Sequence, residues 1–338
     1  MSPPRLSPRA AQVVRGAGVT LMTAGVIVLL FAAYQLWGTG LQHDRAQDEL
    51  AAEFDADLDA ADGDVGSETT TTDARAVGGT VRTTSTTSTT LPAELVDDLA
   101  SPSDGDPVAR IEIPAIGVSE IVVHGVAVSD LRKGPGHYPD SAGFGEPGNA
   151  AIAGHRTTYG QPFHDLDQLE PGDRIDMTTV RGTFTYRVMA HPDPDAPDDR
   201  EADKGWFVVP ATGVEVLDDM GDDRLTLTAC HPEFSSRQRI IVTAELLDDP
   251  IEPLPVGDTA ANTTTDTSAE DFGEGIDGED DVLVPMLVWS GAFLLGLVTT
   301  VVIGARWRRW PTYAMAAPVL AVLLFFAFEQ IDRYLPAY

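Results

Sequence analysis

Two residues suited to acyl-transfer chemistry lie at the ends of predicted β-strands. Cys230 follows the predicted strand 224–229, and Pro232 ends that strand because proline cannot continue a hydrogen-bonded ladder. Arg239 begins the next predicted strand, 239–246. If the intervening loop turns the chain back, the Arg239 guanidinium comes near the sulfur. A permanent cation there favours thiolate and can bind a carbonyl oxygen that becomes negative during attack. We therefore predict Cys230 as an exposed nucleophile and Arg239 as its electrostatic partner.

A thiol nucleophile also needs an acid/base group, because the departing amine must receive a proton. The chain has 7 histidines, and one of them occupies a position that matches Cys230. His155 ends the apolar run 150–154 and precedes the polar loop 156–160, so it too lies at a predicted strand end. The pattern favours His155 as the acid/base.

Cysteine usage limits the alternatives. The chain of 338 residues contains 1 cysteine, so a disulfide within the chain is excluded. A lone cysteine is most often a buried apolar thiol with no chemical role. The strand-end position of Cys230, with Arg239 and His155 in similar positions, favours the nucleophile instead.

The elements that must position these residues are short strands within one predicted domain, 107–247. Turn residues separate the strands at regular intervals, which is typical of a small β-barrel or a β-sandwich. Strand periodicity alone does not distinguish the two, and convincing amphipathic helices are lacking. The fold class is mainly β. The predicted strands lie within 111–118, 121–123, 150–153, 174–179, 183–188, 224–229 and 239–246.

An apolar run near the N-terminus predicts membrane attachment. Residues 16–37 are long enough to span a bilayer, and Arg5, Arg9 and Arg15 precede or border the run. Basic residues favour the cytoplasmic side, so 1–15 is predicted as a cytoplasmic N-terminus. A cleaved signal peptide fits less well, because its apolar region is shorter and no convincing cleavage site follows here.

Two further apolar runs follow the domain. Residues 282–305 are predicted to span the membrane and lead into the basic, aromatic loop 306–310, which is typical of a cytoplasmic face. Residues 311–328, which include Pro318, are predicted as a third span, with a re-entrant or interfacial hairpin as the alternative; 329–338 is the C-terminal tail. Both charge signals place the domain outside the cell.

Acidic residues concentrate in two predicted linkers. Residues 38–106 are acidic and then rich in threonine, and 248–281 are acidic without lysine or arginine. Low hydrophobicity with high charge predicts disorder in both. The formal net charge of −31 also argues against a nucleic-acid partner, because phosphate binding needs a basic face.

The residues around the candidate site resemble those of a known family. Residues 153–157 (Ala-Gly-His-Arg-Thr), 226–232 (Thr-Leu-Thr-Ala-Cys-His-Pro) and Arg239 strongly resemble the sortases, and most closely the class E housekeeping type of Gram-positive actinobacteria. The resemblance covers roughly 107–247. It implies an eight-stranded sortase-type β-barrel with short helices, here flanked by transmembrane helices.

The resemblance also implies a reaction and its partners. Cys230 would attack the carbonyl after the threonine of a C-terminal sorting signal and form a thioacyl-enzyme. His155 would protonate the leaving glycine amine, and Arg239 would hold the substrate or the oxyanion. The expected partners are surface proteins that carry a Leu-Ala-x-Thr-Gly-like signal, a lipid-linked peptidoglycan precursor amine as acceptor, and the membrane. No cofactor is expected.

Further site residues follow from the same resemblance. Tyr138, within His-Tyr-Pro at 137–139, matches a tyrosine that class E enzymes have ahead of the histidine, and is a candidate for substrate recognition. Thr228 and Ala229 are further candidate substrate contacts. The family's motif has threonine directly before the cysteine, so Ala229 lacks a hydroxyl that could bind substrate.

Other functions stay open at this point. A pilin-polymerising sortase, which uses a lysine acceptor, would have the same catalytic residues. A non-catalytic surface binding module would not need a reactive Cys230. A cysteine L,D-transpeptidase is disfavoured because its Ser-His-Gly-Cys signature is absent.

Two expectations concern regions away from the candidate site. Glu170, Asp173 and the acidic run 193–203 resemble calcium-binding loops of another sortase class, but acidic loops are ordinary in a chain this acidic, so no metal is predicted. No predicted catalytic residue lies beyond Arg239. The chain after Asp249 is therefore predicted to be dispensable for turnover of soluble peptides.

Overall fold

The computed structural model describes residues 8–63, 102–192, 203–253, 283–307 and 309–334. Most of the predicted linkers, the acidic run up to residue 202 and the end of the C-terminal tail lie outside these residues.

Five helices are described, and three of them are long and apolar enough to cross a membrane. Helix α1 spans Pro8–Ala33, a π-helical turn follows at Tyr34–Gly38, and α2 spans Thr39–Gly63. Helix α3 is one short turn, Val128–Leu131. Helices α4, Leu283–Arg306, and α5, Arg309–Tyr334, follow the barrel. The candidate spans are Gly16–Ala33, Leu283–Arg306 and Trp310–Tyr334, the last of which contains the predicted third span.

Eight of the eleven described strands close into a barrel. The ring order is β10-β4-β3-β2-β1-β5-β6-β11, and β11 pairs back onto β10. Strand β9 adds to the outer edge of β11, and β7 and β8 form a separate pair. This confirms the mainly β, eight-stranded barrel. The strands are β1 Pro107–Ile113, β2 Val118–His124, β3 Gly136–His137, β4 Asn149–Ala153, β5 Arg174–Thr179, β6 Gly182–Val188, β7 His191–Pro192, β8 Asp203–Lys204, β9 Phe207–Pro210, β10 Arg224–His231 and β11 Gln238–Leu246.

The barrel interior is filled by every second residue of its strands, as the period of two requires. Strand β10 shows this clearly: Leu225, Leu227 and Ala229 lie in the main core. The intervening side chains of the same strand point to the opposite face, which carries the candidate site.

Helix α2 corrects the predicted linker 38–106. The structure forms a helix over Thr39–Gly63, whose face buries Leu50 and Phe54 against Ile121 and Val123 of β2. Burial of each of these two side chains contributes about 1.5–3 kcal/mol to the free energy of unfolding. The acidic residues occupy the other faces of the helix, so the high charge of this segment does not prevent folding.

Polar contacts hold α2 to the barrel. The Gln47 amide donates hydrogen bonds to the backbone carbonyls of Ile121 at 3.0 Å and Lys133 at 2.8 Å, and its oxygen accepts one from the Ile121 N–H. Nε2 of His43 lies 2.9 Å from a carboxylate oxygen of Glu120. These contacts place the N-terminal part of α2 beside the barrel at the end nearest α1.

The ends of α1 and α5 meet next to the same part of the barrel. The rings of Phe31 and Phe328 lie 5.1 Å apart between centroids, and those of Tyr34 and Phe325 lie 5.7 Å apart. Both helix ends are the ones opposite to the basic clusters of the sequence. The ends of two helices that are long and apolar enough to span a membrane therefore pack against each other beside the barrel.

Candidate active site

Cys230 and Arg239 are brought together by the pairing of two long barrel strands. In the antiparallel register of β10 and β11, Cys230 is directly opposite Arg239. Directly opposite residues project to the same face, with Cα atoms about 4.5–5.5 Å apart. The predicted juxtaposition of guanidinium and sulfur thus follows from the strand register.

His155 reaches the same edge from the other neighbour of β10. Strand β4 runs parallel to β10 and pairs Ala153 with Thr228. The N–H of Gly154 donates to the Thr228 carbonyl at 3.0 Å, which extends the ladder beyond β4. His155 and Cys230 each lie two residues beyond a member of the Ala153–Thr228 pair, so His155, just past the end of β4, is level with Cys230 in β10.

The three candidate catalytic residues are buried. Cys230 is 7% exposed, and His155 and Arg239 are each 4% exposed. The prediction of an exposed thiol is wrong for this state of the molecule. The strand-end position is as predicted, but surrounding side chains and loops cover it.

Burial and charge act in opposite directions on the thiol. Burial raises the pKa of Cys230, and the positive charges of Arg239 and then Arg156 oppose that rise. The Arg239 guanidinium donates hydrogen bonds to the backbone carbonyls of Ser236 at 3.0 Å and Gln238 at 3.1 Å, which fixes it beside β10. With the net pKa raised, the resting sulfur is a neutral thiol at neutral pH.

The imidazole of His155 is neutral as well. Burial lowers its pKa to about 3, and the positive charge of Arg132 and then His43 act in the same direction. Its Nε2 is buried and has no hydrogen-bond partner among the described residues. The unpaired ring nitrogen is a position for a proton, but the low pKa means that protonating it in this buried state costs free energy.

Tyr138 and Thr228 form part of the surface beside Cys230. The Tyr138 hydroxyl lies 3.3 Å from the Thr228 hydroxyl. Tyr138 also belongs to a second apolar cluster on the outer face of the barrel, separate from the main core. The cluster comprises Val126, Leu131, Tyr138, Ala151, Ala153, Val216, Leu217 and Ile241. Because side chains alternate along a strand, Thr228 and Cys230 point to this face.

The side chain of Ala229, a predicted substrate contact, does not lie on the face of β10 that carries Cys230. Its side chain is 3% exposed and lies in the main barrel core with Leu225 and Leu227. Position 229 is one residue from Cys230, and a shift of one residue along a strand changes the face. A hydroxyl at this position would enter the apolar core and would not reach a substrate bound beside the sulfur.

Arg156 is a site residue that the sequence analysis did not assign. Its guanidinium is 2% exposed, forms an ion pair with Asp167 at 2.9 Å and lies 3.0 Å from Nδ1 of His231. It is the second cation acting on Cys230. Its position directly after His155 indicates that Arg156 is near the site, but the sequence alone does not show that its charge is buried.

Tyr159 and Arg132 are two further neighbours that the sequence analysis missed. The Tyr159 and His155 ring centroids lie 5.2 Å apart, with the ring planes inclined by 36°. Nε of Arg132 donates to the Tyr159 hydroxyl at 2.9 Å. An aromatic residue and a cation in loops are common, and only the fold brings them to His155.

A metal site is not formed by the described part of the chain. Within it, no group of three or more His, Cys, Asp or Glu side chains is placed to hold a metal ion. Residues 193–202, most of the acidic run considered for calcium, lie outside the described residues.

Comparisons with known proteins agree with this geometry. The sortase domain family matches residues 111–247. Over 70% of its length the chain is 27% identical to Sortase SrtE1 of Streptomyces coelicolor, and over 70% it is 28% identical to Sortase SrtE2 of the same organism. The chain spans 57% of the length of the first relative and 83% of the second.

Among solved structures, sortase E of Streptomyces avermitilis is 34% identical to this chain. The match covers 47% of this chain and 98% of the sortase E chain, with a TM-score of 0.35. The family match to the barrel and the two Streptomyces coelicolor relatives carry the assignment. Residues 111–247 of the chain therefore form a sortase domain.

Proposed function

We propose that the chain is a cysteine transpeptidase that cleaves a Leu-Ala-x-Thr-Gly-like sorting signal between threonine and glycine. The acyl group is then joined to an amine of a lipid-linked cell-wall precursor. One observation carries the proposal most directly. The register of three adjacent strands places Cys230 opposite Arg239 and level with His155.

In the first step, the thiol of Cys230 attacks the carbonyl carbon of the signal's threonine. The Sγ proton passes to Nε2 of His155, which is buried and unpaired among the described residues. Arg239 stabilises the oxygen that becomes negative, since a fixed cation in a buried site is effective there. The C–N bond to glycine breaks, His155 gives the proton to the leaving amine, and the acyl group stays on sulfur.

In the second step, the acceptor amine attacks the thioester carbonyl. His155 takes a proton from the amine, the S–C bond breaks, and a new amide bond joins the two substrates. The proton returns to the sulfur, so Cys230 and His155 end as they began. Both groups rest neutral, because burial raises the pKa of Cys230 and lowers that of His155 to about 3. Passing the proton from sulfur to His155 therefore costs free energy, which bond formation to the carbonyl and the charge of Arg239 must offset.

The apolar cluster around Tyr138 supports binding of the signal's leucine and alanine. It lies on the Cys230 face of β10 and is linked to that strand by the contact between Tyr138 and Thr228. All members of this cluster are buried in this state, so the side chains and loops that cover it must move before it can line a binding cleft. We assign Tyr138 and Thr228 to recognition of the signal and do not assign Ala229.

The membrane is part of the proposed setting. The three candidate spans and the basic residues at their predicted cytoplasmic ends support a multi-pass protein with its barrel outside the cell. The helix ends opposite to those basic residues pack against each other beside the barrel. A sorting-signal protein and a lipid-linked acceptor would both be held in the same layer above the membrane.

The proposal is tested by incubating the full-length chain in detergent micelles with Leu-Ala-x-Thr-Gly peptides and a panel of amines. Mass spectrometry should detect cleavage after threonine and a product joined to the amine, and neither with Cys230→Ala. Preference for cell-wall peptides over pilin lysine peptides would support cell-wall anchoring, and the reverse preference would support pilus assembly. Peptide binding without cleavage would contradict the enzyme and support a binding module.

A further inference from the structure

The loop that follows His155 has a backbone that needs external support. Tyr159 and Gln161 have positive φ angles of 48° and 47°, and Gly160 between them has 72°. Side chains other than glycine rarely adopt this left-handed region, and they stay there only when surrounding contacts hold them. The contacts made by Tyr159 therefore decide the path of this loop.

The ring of Tyr159 lies close to both His155 and Arg132. Its centroid lies 5.2 Å from that of His155, and the Arg132 guanidinium carbon lies 5.5 Å from it. Tyr159 is buried, with 2% of its surface exposed. A shift of this ring would open space beside the imidazole.

The Tyr159 hydroxyl is fixed from outside the barrel. It accepts a hydrogen bond from Nε of Arg132 and donates one to the carboxylate of Asp332, on the last turn of α5. Asp332 is 6% exposed, so its charge is shielded from water. A carboxylate near a helix C-terminus meets the negative end of the helix dipole, which makes compensating donors necessary. Tyr159 provides such a donor.

A second helix supports the same loop. Gly160 packs so closely against His43 of α2 that a Cβ at this position would lie 2.2 Å from the imidazole. The loop after His155 is thus enclosed by α2 on one side and by the end of α5 on the other.

We propose that Asp332 is a positioning residue for His155 and that it acts through Tyr159. The inference rests on the proposed function, in which His155 is the acid/base. The carboxylate fixes the Tyr159 hydroxyl, and the Tyr159 ring then limits the positions open to the imidazole. This reverses the expectation from sequence that the chain after Asp249 is dispensable for peptide turnover.

The test compares full-length variants in detergent micelles. Asp332→Asn keeps the shape of the side chain and replaces the charged acceptor of the Tyr159 hydroxyl by a neutral amide oxygen, which is a weaker partner. Glu329→Gln makes the same charge change one turn earlier on α5 and serves as the matched control. We expect Asp332→Asn to lower kcat for peptide cleavage about tenfold with KM little changed, because a small misplacement of a catalytic group is costly. Glu329→Gln should leave both constants unchanged.

A double variant tests whether the effect passes through Tyr159. Tyr159→Phe removes the hydroxyl, so Asp332→Asn should cause no further loss of kcat in its presence. The effects of substitutions at residues of one hydrogen-bond network are not additive. Losses that multiply in the double variant would overturn the proposal. So would a kcat for Asp332→Asn equal to that of Glu329→Gln, even if the melting temperature fell.

A second readout does not depend on sortase activity. Modification of His155 by diethyl pyrocarbonate, followed by peptide mass spectrometry, reports access to the imidazole. Asp332→Asn should speed this reaction about fivefold or more, as expected for local opening of the loop, whereas Glu329→Gln should not. Failure of the proposed function would show as absence of cleavage by the wild-type chain. Failure of the positioning role would show as equal modification rates for both variants.

Discussion

The candidate active site has two halves that are built differently. Cys230 and Arg239 are paired residues of β10 and β11, two long neighbouring strands. His155 lies beyond the end of the five-residue strand β4, in a loop enclosed by helices from outside the barrel. The thiol half is therefore set by the pairing of two barrel strands, whereas the loop of the imidazole half also contacts α2 and the end of α5.

The largest expected effect is on the thiol half. Cys230→Ala should abolish both cleavage and transfer, because the chain has no other thiol. The barrel should stay folded, since the change removes a single atom from a buried site. Peptide cleavage followed by chromatography, with thermal unfolding as the control, checks this. Residual cleavage above that of a blank would contradict the assignment.

Loss of the imidazole comes next. His155→Ala should reduce kcat/KM about 10²–10⁴-fold, the usual contribution of general acid–base catalysis. Added imidazole should restore part of the rate, since the cavity left by the side chain is beside the sulfur. His164→Ala, which alters a more exposed histidine of the same region, is the control and should keep the wild-type rate. Equal rates for the two variants would remove His155 from the mechanism.

Arg239→Lys tests the electrostatic partner on the thiol half. A lysine keeps the charge but cannot reproduce a forked donor, and loss of one oxyanion donor costs roughly 10²-fold or more in kcat. Arg237→Lys makes the same chemical change at an exposed position two residues earlier. A steady-state comparison of the two should show the loss at position 239 alone. If Arg239→Lys keeps the full rate, charge without directed hydrogen bonds is sufficient.

The two faces of β10 should respond differently to small changes. Thr228→Val removes the hydroxyl that contacts Tyr138, and a net hydrogen-bond contribution of about 1 kcal/mol corresponds to roughly a fivefold loss in kcat/KM. Ala229→Thr restores the family's motif residue but adds volume and a hydroxyl to the core. It should lower stability by about 1–3 kcal/mol with little effect on kcat. Kinetics and thermal unfolding of both variants test this, and a faster Ala229→Thr enzyme would contradict the core placement.

The smallest expected effect is that of pH in the neutral range. A raised pKa of Cys230 keeps the thiol protonated, and a His155 pKa of about 3 keeps the imidazole neutral, so the reactive protonation state persists between them. The value of kcat/KM should change less than about twofold between pH 6 and 8. Its acid limb should lie well below the ordinary histidine pKa, with circular dichroism excluding unfolding. An acid limb near pH 6.5 would show that His155 has an ordinary pKa and is therefore exposed to water, which would contradict its burial.

The thiol half could be predicted from sequence because its signals are local. The alternation of 224–229, the break at Pro232 and the start of 239–246 are enough to bring Cys230 and Arg239 together. The same alternation also predicts that Ala229 faces the core, because a residue adjacent to Cys230 in a strand points away from the sulfur. The sequence prediction did not apply this to Ala229.

The imidazole half depends on contacts that sequence patterns do not contain. Helix α2 has an apolar stripe, with Leu50, Phe54 and Ala61 at helical spacing, that the acidic composition obscured. The contact between Tyr159 and Asp332 joins residues that are 173 positions apart. No local pattern predicts such a pair, because it follows from how the helices pack against the closed barrel.

The central claim is that Cys230 forms a thioacyl intermediate, and intact-mass spectrometry of the full-length chain tests it most directly. With a Leu-Ala-x-Thr-Gly peptide and no added amine, the protein should gain the mass of the Leu-Ala-x-Thr acyl group at Cys230. Addition of an acceptor amine should discharge this mass into the joined product. Cleavage without an adduct on Cys230, or an adduct that the amine does not discharge, would contradict the account.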